Sequence, residues 1–456
     1  MAKLINKTVL QIHDLLSNRQ ILSSLEKLNQ NQWRTREELL ASQRNKLISL
    51  VEYANQYVPY YQRIFKDVGF SPEDLIKDMT NLNKIPILTK DIIRKNWNDL
   101  ITTETDRKRR LSKLNTSGST GEPLAFMQDI GFRDYVTAET HHHMSWIGWQ
   151  VGDPQAWIYI APIKQTIREK VRTEIADWSW NRFQLNACSL NEESMTYFAK
   201  QLQRKKPKLL WCCTSSLYHF ARFIRSSPYQ GITFDGLFTT SEVLLPPVRQ
   251  FIEETFQCKI FNRYGTMELG GVACECNAHK GYHVCTDNNY IEIINNGLPA
   301  KLEELGEIVT TNLNNRGMPF IRYRIGDVGA WNGEESCSCG RSAPMLGALE
   351  GRITELFQTR DGRYVRSAFS GGFSCLAHPS VKQFQVIQKT LDKMVVSLVP
   401  DGIIPQSVLD ETSLAIRNTY GENVVVDFEF PLEIPALASG KHQYAISELN
   451  NSNITH

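Results

Sequence analysis

The chain has 456 residues, with 51 Lys and Arg against 49 Asp and Glu, for a net charge of +2. That balance excludes a dedicated nucleic-acid or membrane-surface protein, since both need a strong basic excess. A content of 41% hydrophobic and 10% aromatic residues excludes a disordered chain, and the length leaves room for about two to four domains. No stretch approaches the ~18 consecutive apolar residues of a membrane span. The richest, Leu209 to Ile224, is interrupted by Thr214, Ser215, Ser216, His219 and Arg222. The first residues lack a long apolar run ending in a small-residue cleavage site, so no signal peptide is read. The ten cysteines are not spaced as a disulfide scaffold and point to a reducing cytoplasm, where clustered thiols suggest metal.

Taken in chain order, Glu37 to Ala54 reads as an amphipathic helix that ends at Val58-Pro59. The basic run Arg107-Lys108-Arg109-Arg110 reads as a solvated segment. From about residue 124 strands and helices alternate. Ala156 to Ile160 and Leu209 to Cys212 are buried strands. A capping box at Ser189 to Glu192 opens a helix through about Arg204, and Pro246 to Phe256 is a helix begun by proline. The expected fold is α/β, with helices covering a sheet. Near residue 353 the pattern changes. Lys382 to Lys389 and Lys393 to Val399 read as paired strands, Pro405 to Tyr420 as a helix, and Val424 to Phe430 as a half-buried strand. This predicts a main domain over 1–352, with a helical leader over 1–100, and a small α+β domain over 353–456.

The sharpest motif is Thr116-Ser117-Gly118-Ser119-Thr120-Gly121, followed by Glu122 and Pro123. Its glycines let several N–H groups converge and its hydroxyls add donors, as a polyphosphate requires. It is not the Gly-Lys phosphate loop. Tyr264-Gly265-Thr266-Met267-Glu268, after a short strand at Lys259 to Phe261, places an aromatic ring and a carboxylate together. These suit purine stacking and magnesium. Ile321 to Asp327 brings a second carboxylate, read as a turn and suited to ribose hydroxyls. Gly351-Arg352 and Ser439-Gly440-Lys441 follow.

In this order and spacing the motifs resemble the adenylate-forming superfamily, in its phenylacetate–CoA ligase-like branch and especially the capsular polysaccharide biosynthesis ligases. Gly271-Val272-Ala273-Cys274-Glu275-Cys276, Gly281 to Val284, Cys337 to Arg341, Val58 to Tyr61 and Leu88-Thr89-Lys90 carry the finer likeness. The resemblance implies a large nucleotide-binding domain and a small mobile C-terminal lid. It implies that Thr116 to Gly121 holds the β- and γ-phosphates, and that Tyr264, with Gly265 and Thr266, meets the adenine. Glu268 would bind magnesium and Asp327 the ribose. Arg352 would contact ribose or phosphate, and Lys441 would stabilise charge at the α-phosphate. Two positions depart from the family pattern: Glu122 stands where lysine is frequent, and Thr354 where a hinge Asp is usual.

Cys274, Cys276, His279, His283 and Cys285 form one Cys/His-rich stretch, and Cys337 and Cys339 lie about fifty residues on. Two short knuckles around a long insert can build a tetrahedral structural zinc site. Aided by the family resemblance, the ligands are read as Cys276, His283, Cys337 and Cys339, with His279 the rival to His283. The run His141-His142-His143 cannot converge on one ion, because neighbouring helix residues face different ways.

The implied activity is ATP-dependent activation of a small carboxylate as an acyl-adenylate, with AMP and pyrophosphate as products. The acyl group passes to a thiol, of CoA or a carrier protein. The alternatives are an amide ligase acylating an amine or amino sugar for surface polysaccharide, and a nucleotide-binding scaffold without turnover. Trp146, Trp149, Ser241 and Glu242 are candidates for the acyl pocket. No nucleic-acid partner is expected.

Overall fold

A computed structural model describes residues 2–105, 110–116, 123–159, 166–333, 336–352, 356–360, 364–366, 378, 380–435 and 444–449. Ser117 to Glu122, Arg107 to Arg109, Thr354 and Ser439 to Lys441 lie outside the described residues, as does the side chain of Arg352.

The first hundred residues are helical: α1 (Ala2–Leu16), α2 (Ile21–Asn31), α3 (Arg36–Tyr57), α4 (Pro59–Asp67), α5 (Pro72–Lys77), α6 (Lys90–Lys95) and α7 (Trp97–Leu100). Thr35 and Glu38 close a capping box at the start of α3. Val58 ends α3 in an extended conformation, and Pro59 then opens α4 at the position where its missing N–H is harmless. So the Val58-Pro59 break separates two helices and does not begin a loop. These helices share an apolar cluster with the antiparallel part of the main sheet, Leu47, Leu50 and Tyr61 packing with Ile308, Phe320 and Tyr323.

A hairpin of β1 (Leu111–Asn115) and β2 (Ala125–Asp129) precedes α8 (Ile130–Ser145). Strands β3 (Gln155–Tyr159), β4 (Arg182–Asn186), β5 (Leu209–Cys213), β6 (Gly236–Thr240) and β7 (Ile260–Thr266) run parallel. Between them lie α9 (Ile167–Ser179), α10 (Glu192–Lys205), α11 (Thr214–Ser226) and α12 (Pro246–Phe256). Then β8 (Gly270–Glu275), β9 (Tyr282–Val284), β10 (Asn289–Asn295), β11 (Leu298–Pro299), β12 (Gly306–Asn312), β13 (Tyr323–Trp331) and β14 (Met345–Arg352) extend the same sheet with antiparallel pairings. The twelve strands lie in the order β11-β10-β12-β13-β14-β9-β8-β7-β6-β5-β3-β4. Parallel to antiparallel pairing changes at β7, the strand that carries Tyr264.

Three local readings change. The cap of α10 is Asn191, which accepts from the Ser194 N–H, while Ser189 sits in the preceding 3₁₀ turn. Asp327 lies inside β13, not in a turn, and the strand before Glu268 runs through Tyr264 itself. For β13 and β7, neighbouring strands supply the hydrogen bonds that a glycine-containing segment would otherwise lack.

After β14 come a short hairpin, β15 (Leu356–Gln358) with β16 (Tyr364–Arg366), and a separate four-stranded sheet. There β17 (Val381–Thr390) and β18 (Lys393–Pro400) pair antiparallel. Helix α13 (Gln406–Tyr420) follows, and β19 (Val425–Glu429) and β20 (Ala445–Ser447) flank the pair. The three-residue β20 gives no periodic signal in the sequence; its place comes from register with Val386 to Gln388. Val386, Val396 and Leu398 of this sheet join the apolar cluster of Leu210, Phe220 and Ile252. Arg222 of α11 bonds the Val381 carbonyl oxygen at 2.8 Å and also the Asp401 carboxylate. The architecture is mixed α/β, a large helix-covered sheet followed by a small α+β unit.

Candidate nucleotide site and Cys/His cluster

Thr116 closes the neck of the β1–β2 loop. Its N–H donates to the Leu124 carbonyl oxygen at 2.8 Å, and its Oγ1 accepts from the Leu124 N–H at 2.9 Å. The two hydrogen bonds hold the ends of the hydroxyl-rich segment together. Gln128 of β2 then donates to the Met267 carbonyl oxygen at 2.8 Å, which ties this hairpin to the turn bearing Glu268.

Tyr264 leaves β7 half-buried, and its hydroxyl donates to Asp327 Oδ2 at 2.8 Å. Asp327 is buried on β13, opposite Arg352 of β14. A few residues earlier on β13, the fully buried Tyr323 donates its hydroxyl to Glu268 Oε1 at 3.0 Å. The turn from Thr266 to Leu269 is closed by the Leu269 N–H on Thr266 Oγ1. A Cβ at Gly265 would lie 2.5 Å from the Gly270 carbonyl oxygen, so only glycine allows the tight β7–β8 crossing there. The neck of the loop, an aromatic ring and two oriented carboxylates thus belong to three neighbouring segments. Each carboxylate accepts from a tyrosine hydroxyl, a neutral donor that helps to fix its direction.

Behind β7 lies a buried pair that the sequence analysis did not single out. Glu139 of α8 accepts from the Gly271 N–H at 2.6 Å and from Arg263 Nη2 at 3.2 Å. Burial pushes the Glu139 carboxyl up to about 7, against the opposing pull of Arg263 and of the Gly271 N–H. Since Gly271 faces Gly265 across the β7–β8 pair, this contact braces the Tyr264 segment from behind. Nothing in helical periodicity distinguishes Glu139 from a surface acid; its burial follows from α8 lying against β8.

Cys276 follows β8, His283 lies in β9, and Cys337 and Cys339 lie between β13 and β14. Their ligand atoms all fall within 4.8 Å of one another. Cys276 Sγ and Cys337 Sγ are 3.6 Å apart, and Cys339 Sγ is 3.3 Å from His283 Nε2. Zinc–sulfur bonds of about 2.3 Å in a tetrahedron give edges of about 3.8 Å, so the donor set fits that ion. His283 Nδ1 faces the Ala343 carbonyl oxygen at 3.1 Å, which puts the proton there and turns the Nε2 lone pair toward the thiols. Burial lowers the His283 pKa and favours the neutral ring. The N–H groups of Ala278 and Arg341 each point at a cysteine sulfur at 3.4 Å. His279 takes a left-handed backbone (φ 51°), packs its ring on Phe261 and lies near Glu275, outside this group.

Residues 357–448 match the CapK C-terminal domain family. Protein CapK of Staphylococcus aureus is 24% identical over 431 residues, 90% of each chain. A phenylacetate–coenzyme A ligase of Thermus thermophilus is 23% identical over 355 residues, 71% of this chain and 73% of its own. A 2-hydroxyisobutyryl-CoA ligase, solved in the postadenylation state in complex with R3-HIB-AMP, shares the fold. Its TM-score is 0.74 at 18% identity, covering 92% of this chain and 93% of that one. Over most of its length the chain is thus similar to CapK and to phenylacetate–CoA ligases, and it has the fold of a CoA ligase of the adenylate-forming kind.

The residues first considered for an acyl pocket divide. Trp149 is 1% exposed, with its indole N–H on the Asp153 carbonyl oxygen, so it offers a substrate no face. Trp146 carries the Arg341 guanidinium 4.1 Å above its ring and edges onto His283, beside the Cys/His cluster. The Glu242 carboxylate accepts from the Ser215 N–H and hydroxyl at the start of α11. Ser241, in a left-handed conformation (φ 74°) just past β6, stays at the carboxyl edge of the parallel strands. His141, His142 and His143 turn to three different partners, the Thr137 carbonyl oxygen, Asn29 and Arg263.

Proposed function

We propose that this chain is an ATP-dependent acid–thiol ligase. It joins AMP to a small carboxylate and passes the acyl group to a thiol, of CoA or of a carrier protein. The observation that supports this reading best is the paired arrangement of Tyr264 with Asp327 and Tyr323 with Glu268, tied through Gln128 to the neck of the hydroxyl-rich loop. In this reading a carboxylate oxygen attacks the α-phosphorus and the bond to pyrophosphate breaks, leaving an acyl-adenylate. The thiolate sulfur then attacks the acyl carbon and AMP leaves.

Tyr264 would stack on adenine, with Gly265 and Thr266 lining that edge, and Asp327 would accept from the ribose hydroxyls. Thr116 and the loop Ser117, Gly118, Ser119, Thr120 and Gly121 would donate to the outer phosphates. Arg352 would reach ribose or phosphate, and Lys441 would offset the charge gathering at the α-phosphate. Glu268 would hold magnesium, which when bound neutralises phosphate charge. Tyr323 occupies one Glu268 oxygen and orients the carboxylate for that task. Cys276, His283, Cys337 and Cys339 would hold a structural zinc, since four protein donors leave no open position. We place the boundary of the lid near residue 353 and the reaction in the cytoplasm, where the free thiols of the described cysteines persist.

ATP–pyrophosphate exchange with a panel of carboxylates tests this reading. Exchange with at least one acid is expected, followed by thioester formation with CoA or a carrier thiol. Exchange without any thioester, but with amide formed on an added amino sugar, transfers the proposal to an amine acceptor. ATP binding with no exchange for any acid refutes an adenylating enzyme and leaves a scaffold.

A further inference from the structure

A polar cleft of about 370 Å³ lies between α3 and the connection from β12 to β13. Ser42, Asn45, Lys46 and Ser49 form one wall, and Asn314 and Arg316 face them. Spacings of three and four residues put all four α3 residues on one helix face. Leu47 and Leu50, by contrast, are buried in the core. None of the residues assigned to the nucleotide or the Cys/His cluster lines the cleft.

Its chemistry is donor-rich and acid-free. Arg316 lies over the Tyr53 ring at 5.1 Å and donates from Nη2 to Ser49 Oγ at 3.0 Å. That is its one side-chain hydrogen bond among the described residues, so most of a five-donor guanidinium fork stays available. Lys46 is held by Asp287, 2.7 Å from its carboxylate and 2.9 Å from its carbonyl oxygen. Asp287 does not line the cleft and offsets Lys46, so the net positive charge there comes from Arg316. Two serine hydroxyls and two carboxamides complete the wall. A planar cation suits a phosphate bidentately, while hydroxyls and carboxamides suit a polyhydroxylated body.

The cleft is also rigidly seated. The Arg316 and Gly317 N–H groups bond Asp129 Oδ2 at 2.8 and 3.1 Å, and Asn315 bonds the Met127 carbonyl oxygen. Asn314 donates to Asn288 Oδ1, and Asn288 donates to the carbonyl oxygen of Leu269, next to Glu268. A site on a braced loop loses little freedom when filled, which favours binding.

We propose that this cleft binds a phosphate monoester of a small hydroxylated molecule, separately from the nucleotide. The test is isothermal titration of inorganic phosphate and of glucose 6-phosphate into the full-length chain, with and without a saturating non-hydrolysable ATP analogue. Binding is expected to persist with the analogue present and to weaken about tenfold or more in Arg316→Ala, a change of about 1.4 kcal/mol. Asn45→Asp, which sets a carboxylate on the exposed face of α3, is expected to weaken it likewise without touching the core. Glucose 6-phosphate is expected to bind more tightly than inorganic phosphate; equal affinities would overturn the hydroxylated part of the ligand. Binding abolished by the analogue, unchanged in both variants, or absent for both compounds at millimolar concentration would overturn the proposal.

Discussion

At the scale of single residues, each of the two carboxylates assigned to the nucleotide accepts from a tyrosine hydroxyl. A neutral donor directs a carboxylate without cancelling its charge. Asp327→Ala is expected to weaken ATP binding by about 1–3 kcal/mol, the scale for losing an ionised hydrogen-bond acceptor. Tyr264→Phe keeps the ring for stacking and removes only the donor to Asp327, so its loss should be near 1 kcal/mol. Calorimetry of the two variants checks both. Equal affinity for wild type and Asp327→Ala would remove the ribose assignment. Of these residues, Tyr264, Glu268 and Asp327 are legible in the sequence as motif members. The role of Tyr323 is not, because its hydroxyl meets Glu268 across 55 residues of chain.

Among the elements, α8 and the Cys/His knuckles carry the clearest consequences. His141 and His142 on α8 are buried, and burial lowers each pKa to about 3. Both rings stay neutral in the fold while the unfolded chain takes up protons below about pH 6.5. Their contribution to stability is therefore complete above pH 6.5 and is lost as pH falls toward 3. His141 also stacks on Trp180, with ring centres 3.8 Å apart. His141→Phe keeps a stacking ring and removes one titrating group. It should reduce the slope of unfolding free energy with pH by about 1.4 kcal/mol per unit between pH 4 and 6. Urea melts across that range measure the slope, and an unchanged slope would contradict the burial argument.

The knuckles bring together elements that also meet through strand pairing and the Asn332–Lys280 hydrogen bond. They clamp the end of β8 and β9 to the loop before β14. Arg341 extends the clamp to the leader by bonding Gln32 and lying over Trp33 at 5.0 Å. Protein purified without affinity metal should contain about one equivalent of zinc. Cys337→Ser should lose the metal and lower the melting temperature. Metal-free wild-type protein with an unaltered melting temperature and freely titratable thiols would exclude the zinc reading.

For the whole molecule, the question is how the small C-terminal unit serves the large sheet. In the structure it packs on α11 through Arg222 and a shared apolar cluster, while Tyr444 is half-buried beside Phe384. In the proposed reaction Lys441, three residues before Tyr444, acts only once ATP and acid are in place, so it contributes to the transition state more than to binding. Lys441→Ala should leave ATP affinity nearly unchanged and slow adenylate formation by about two orders of magnitude or more. Thioester formation from a supplied acyl-adenylate should fall far less. Pyrophosphate exchange equal to wild type in this variant would refute the role.

What the amino-acid order determines alone is whatever depends on neighbours within a few residues. Pro246 starts α12 and Phe256 ends it as periodicity requires, and β17 and β18 meet across Leu391-Asp392. The glycine-rich and carboxylate motifs can also be picked out by local pattern alone. The helical spacing of Leu47, Leu50 and Val51 likewise marks the buried face of α3. Only the tertiary structure decides pairings between distant segments, because these depend on register and burial that no local pattern encodes. It puts Asp327 in a strand beneath Tyr264, and groups Cys276, His283, Cys337 and Cys339 while turning His279 toward Phe261 and Glu275. It buries Glu139 behind β7, and faces a polar side of α3 with Arg316 from a loop some 270 residues later. A side chain's chemistry is written in its identity, but its partner is set by where the sheet and helices bring the chain back upon itself.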